Sequence, residues 1–155
     1  MEFIDLIIRP GIEEVKKLLM KYLEFGNLIK ELKKRELPAE IVSSINQDIE
    51  DLNSFSGDNR ELLKLIRTLE LRILRLIEKE LKLVPKNTYR NRWMAIGMSA
   101  FGVPIGMAFG LGLGNMAFIA IGIPLGMSIG IGIGTGMDKK ALEEGRQLDL
   151  EIRAR

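Results

Sequence analysis

The chain has no cysteine and no histidine among its 155 residues. Without cysteine no disulfide can form, and the redox state of the compartment is left unconstrained. Without either residue the usual zinc ligands are missing, and with histidine goes the commonest general base. The formal net charge of +2 is too small to argue for a nucleic-acid partner. The start, Met1-Glu2-Phe3-Ile4-Asp5, carries acids where a signal peptide needs bases, and no small-residue cleavage site follows. The largest absence is local. From Trp93 to Met137, 45 residues pass without one Asp, Glu, Lys or Arg. A hydrocarbon core of about 30 Å needs roughly 20 apolar residues in a helix. The run is therefore about twice one crossing, and Gly114-Asn115 near its middle is a turn signal. The expectation is a helical hairpin, Trp93 to Leu113 out and Met116 to Met137 back, which would direct its own insertion.

What the run does contain is glycine, and it repeats. Residues Gly102 to Gly114 and Gly122 to Gly134 align at an offset of 20, with Pro104 on Pro124, Met107 on Met127 and all five glycines in register. If each copy crosses once, the copies run antiparallel about a pseudo-twofold axis in the membrane plane, as in small transporters and channels, or in a duplicated anchor. Gly102, Gly106, Gly110 and Gly114, and again Gly122, Gly126, Gly130 and Gly134, lie four apart. Four residues is nearly one helical turn, so each set forms a groove without side chains. In lipid, close backbone contact must replace the hydrophobic effect as the force between helices, and small-xxx-small grooves supply it. The pattern resembles the glycine-zipper segments of small bacterial membrane proteins over Gly102 to Gly136. That resemblance implies helix packing through the glycines and, in some members, homo-oligomeric pores. The grooves could equally pack the two arms of one hairpin. Pro104 and Pro124 free the carbonyls of Ala100 and Ala120 and predict kinks near mid-membrane. The alternating Gly-Leu and Gly-Ile tails also fit strand periodicity, but two lone strands would leave open edges in lipid.

The first 92 residues carry 18 basic and 16 acidic side chains and read as helices. Phe3, Ile4, Ile7 and Ile8 predict a short helix before Pro10-Gly11, either docked on the core or lying on the bilayer. Val15, Leu18, Leu19, Tyr22, Phe25, Ile29 and Leu32 predict an amphipathic helix from Ile12 to about Arg35. Its acids lie first and its bases last, in accord with the dipole. A second helix begins near Pro38, with Ile41, Val42, Ile45, Ile49 and Leu52 on one face. A third runs from about Arg60 to Leu83, with Asp58 or Asn59 as its cap. Its seam, Leu62, Ile66, Leu69, Ile73 and Leu76, is the candidate oligomerisation surface. Leu63, Leu65, Leu71, Leu74, Ile77 and Leu81 lie outside that seam, so this helix must be covered on more than one side.

The expected fold class is all-α. A cytoplasmic helical bundle or coiled coil occupies 1–92, a glycine-zipper transmembrane hairpin 93–137, and a cytoplasmic tail 138–155. The tail is expected to hold at most a short helix through Leu142, Leu148 and Ile152, weakened by Gly145. Lys86, Arg90 and Arg92 flank the first crossing and Lys139 and Lys140 the second, while the tip has no charge. The positive-inside rule then puts both termini in the cytoplasm and the chain in the inner membrane. Nothing marks a catalytic, cofactor or metal site. The glycine-rich stretches lack the Gly-Lys-Ser/Thr of a phosphate loop, and the acid pairs sit on faces rich in lysine and arginine. Two readings remain, and the glycine density favours the first, since an anchor needs hydrophobic length but not 12 glycines, each unfavourable for a helix. One is a homo-oligomeric channel or membrane-permeabilising assembly joined by the zippers. The other is a membrane-anchored helical scaffold whose soluble part binds a protein. The expected partners are the lipid bilayer, further copies of the chain and that protein, with no nucleic acid and no cofactor.

Overall fold

The computed structural model describes residues 2–152, so the last three residues of the expected tail lie outside it. Among the described residues every regular element is helical, and the chain divides into two compact units. One runs up to Leu83 and resumes at Leu148; the other is Val84–Gln147.

In the first unit three helices follow one another: α1 (Lys16–Lys33), α2 (Ala39–Asn53) and α3 (Asn59–Leu81). A 3₁₀ turn, Ile12–Glu14, takes the place of the expected first helical turn of α1. Gly11 ahead of it is left-handed at φ 81°, a conformation in which a β-carbon would clash. Asp58 caps α3, accepting from the amides of Arg60 and Glu61 at 2.8 Å each, and Glu61 returns the bond to the Asp58 amide at 3.3 Å. That reciprocal box fixes where the third helix begins. Helix α3 packs on both α1 and α2. Its Leu62, Ile66, Leu69, Ile73 and Ile77 are buried with Phe25, Leu28 and Leu32 of α1 and Ile45 and Ile49 of α2. Leu83 and Leu148, beyond the helices, complete this core.

Residues 2–9 are not helical, contrary to the expectation from their spacing. They run extended and dock on the core through Phe3, Ile4 and Leu6. Two asparagines of α2 hold them. Asn46 accepts from the Ile4 amide and donates to the Glu2 carbonyl, both at 2.9 Å. Asn53 does the same for Ile7 and Asp5, at 2.9 and 3.0 Å. Seven helical residues rise about 10.5 Å, and three extended residues span about 10 Å. The two side chains therefore meet the strand-like backbone in register and satisfy donors and acceptors that a helix would have satisfied internally. β-Branched Ile4, Ile7 and Ile8 favour the extended form as well.

The second unit is a helical hairpin. Its first arm, Thr88–Gly112, and its second, Ile119–Glu143, are each long and apolar enough to cross a membrane. The tip turns at Gly114, where φ is 66°, and Asn115 accepts from the Ala117 amide at 2.9 Å to start the return. The second arm runs six residues past the uncharged stretch and ends at left-handed Gly145, with the Arg146 amide bonded to the Ala141 carbonyl at 2.8 Å. This is a glycine-terminated helix end of the Schellman type. Leu142 is thus helical. Leu148 and Ile152, expected on the same short helix, lie beyond its end and pack instead on the core of the first unit.

Candidate functional site

The hairpin is held by glycine meeting backbone. A β-carbon on Gly126 would lie 2.5 Å from the Gly102 Cα, and one on Gly122 2.5 Å from the Gly106 Cα. These two contacts are one contact generated twice: the 20-residue offset maps each pair onto the other, as a pseudo-twofold crossing requires. Toward the base, β-carbons on Gly97 and Gly134 would fall 2.9 Å from the Gly130 Cα and 2.5 Å from the Arg90 Cα. Gly130 meets the backbone of Trp93 and Met94. Distances this short leave no room for any side chain. Of the candidate glycines, 102, 106, 110, 122, 126, 130 and 134 are buried, while Gly114 forms the exposed turn. Gly112, Gly132 and Gly136 face open space.

Gly97 joins the seam although it is five residues, not four, before Gly102. The step of five falls on a π turn, Met98–Gly102, where the Val103 amide reaches the Met98 carbonyl. A π turn carries one residue more than an α turn, so it returns Gly97 to the face that Gly102 and Gly106 share. It also sits just ahead of Pro104, which lacks the N–H that an α register needs there. The odd spacing is the signal by which the sequence could have revealed both features. Around Pro124 the second arm stays α-helical. Both prolines point outward, away from the seam.

At the base a carboxylate replaces glycine. Asp138, the first charged residue after the apolar run, is 7% exposed and accepts from the amides of Tyr89 and Arg90, at 3.1 and 2.9 Å. The first arm has no side-chain cap of its own, its N-cap Asn87 being left-handed. Asp138 therefore caps it from across the hairpin, a favourable place for negative charge against the helix dipole. The Val84 amide bonds to the Arg146 carbonyl at 3.0 Å and closes the base.

The outward faces are apolar. Phe101, Val103, Met107 and Phe109 of the first arm and Ile121, Leu125, Ile129 and Ile133 of the second are exposed. Only 22% of each arm's apolar window is buried, unlike the core helix of a soluble protein. The two serine hydroxyls are turned onto their own helices: Ser99 bonds the carbonyls of Ala95 and Ile96, and Ser128 that of Pro124 at 2.8 Å. Among the described residues no group of carboxylates is arranged to hold a metal ion.

The candidate oligomerisation residues lie elsewhere. Leu62, Ile66, Leu69 and Ile73 are at most 2% exposed within the chain's own three-helix core, and Leu76 is half-buried against it. That seam is occupied within the protomer. Of the apolar remainder of α3, only Leu71 is largely open.

Compared with protein-family models, with curated proteins and with solved structures, the chain matches none. What it does must be read from its own geometry.

Proposed function

We propose that the chain is a membrane-anchored helical module: the hairpin crosses the bilayer twice and holds the three-helix unit at the membrane, where that unit engages a protein partner. The observation behind this reading is that the glycine faces, the surfaces a zipper-built channel would share between subunits, are turned toward each other inside one hairpin. What they leave outside is aliphatic and aromatic, a surface suited to lipid tails. With both serine hydroxyls bonded to their own helices, there is little polar lining to offer a water-filled path. The two functional readings separate in one experiment. The full chain, reconstituted in liposomes, should resist extraction by alkaline carbonate and release no trapped dye at any protein-to-lipid ratio that preserves control vesicles. Dye release by the wild type that Gly106→Leu abolishes would favour the channel and overturn the anchor.

A further inference from the structure

Between α1 and α3 lies a groove of about 560 Å³ whose lining is unusually cationic. Lys16, Lys17 and Lys21 reach it from α1 and Arg67 from α3, with Met20 and Leu63 as its apolar part and Glu24 as its one acid. Lys21 is already engaged, by Glu70 at 2.6 Å and Glu24 at 3.0 Å. Glu24 is therefore committed to Lys21 as well. Lys16 and Lys17 make no ion pair with a described carboxylate, and Arg67 is attracted to Glu70, the acid that already holds Lys21.

We propose that this groove binds a phosphate group carried on a small apolar moiety, either the headgroup of an anionic phospholipid or a soluble phosphorylated compound. Four cations, Lys16, Lys17, Lys21 and Arg67, thus meet two acids, Glu24 and Glu70, and the excess positive charge on one concave site is more than a single carboxylate could neutralise. A phosphate bears more charge and three or more acceptor oxygens, so it can meet two lysine ammonium groups and the guanidinium fork together. Met20 and Leu63 then cover the carbon next to the phosphate. The volume suits a small ligand or a headgroup, and the balanced charge of the rest of the unit does not extend the site into a track for a polyanion. The site stands on the first unit alone and does not depend on the anchor reading.

The test is calorimetric titration of the full chain in neutral-detergent micelles with three probes: inorganic phosphate, dihexanoyl phosphatidic acid and dihexanoyl phosphatidylcholine. Phosphatidic acid should bind saturably and more weakly as salt is raised. Lys16→Gln and Arg67→Gln should each weaken it about tenfold. Arg67→Lys, which keeps the charge and loses the fork, should weaken binding less than Arg67→Gln, and Lys30→Gln, on α1 but outside the groove, should bind as the wild type. Inorganic phosphate competing at similar concentration would assign a soluble ligand, and binding of the lipid alone would assign a headgroup. Equal binding of phosphatidylcholine, or full affinity in both Gln variants with unchanged helical circular dichroism, would overturn the proposal.

Discussion

Two buried acids show how single residues set the chemistry of the first unit. Glu70 is 3% exposed, with one oxygen on Lys21 and the other without a hydrogen bond; Asp48 is 2% exposed, with one oxygen on Arg72 at 2.7 Å and the other equally unmet. Burial raises both carboxyls above their ordinary range, and the neighbouring cations only partly oppose it. The folded chain thus holds protons that the unfolded chain has released. The stability this contributes is fully present below the unfolded pKa and is lost as pH rises through the raised one. Glu70→Gln should therefore flatten the fall in stability as pH rises above the ordinary glutamate value. Lys21 keeps Glu24 as a partner in that variant, so little else changes. Thermal melts followed by circular dichroism across that range provide the check, and an unaltered slope would remove Glu70 from the account.

Among the elements, the second arm offers the sharpest contrast, because its glycines look alike in sequence and differ in surroundings. Gly126→Ala forces a β-carbon into the Gly102 backbone, with no flexible side chain there to yield. Overpacking of that kind costs about 1–3 kcal/mol. Gly132→Ala meets nothing within 4 Å and should instead stabilise the helix by about 0.5–1 kcal/mol. Trp93, the only tryptophan, lies opposite Gly130 in the seam. Its fluorescence during titration with dodecyl sulfate should show Gly126→Ala opening early and Gly132→Ala opening late. Equal midpoints would mean that the seam does not hold the arms together. Much of this contrast was legible beforehand, since the period of four already separated Gly126 from Gly132. Gly97 was not, because only a π turn brings a five-residue step onto the same face.

For the molecule as a whole, the basic residues at the base and the chargeless tip predict both ends in the cytoplasm with the tip outside. The chain has no cysteine of its own, so single substitutions report cleanly. Leu113→Cys, exposed at the tip, should react with an impermeant thiol reagent on intact cells, and Ser56→Cys should not. The opposite pattern would invert the topology.

The sequence by itself determined the class and the hairpin. Helical period, caps and turn residues act over a few neighbours, and 45 residues without charge need no tertiary context to exclude an ordinary soluble loop. It also set which glycines share a face, apart from Gly97, which joins through the π turn, and Gly114, which forms the tip. Only the tertiary structure decided what those faces meet, because a groove of glycines fits a partner arm and a partner chain equally well. Leu62, Ile66, Leu69 and Ile73 posed the same ambiguity: a heptad seam does not say whether its neighbour lies in the same chain, and here α1 and α2 fill it. The division of the chain was non-local too. Asp138 and Arg146 bind back to Tyr89, Arg90 and Val84, drawing the charged flanks into the hairpin unit, while Leu148 returns to the first core. Contacts between residues about 50 or more positions apart leave no period in the sequence; they exist only once the chain has folded back on itself.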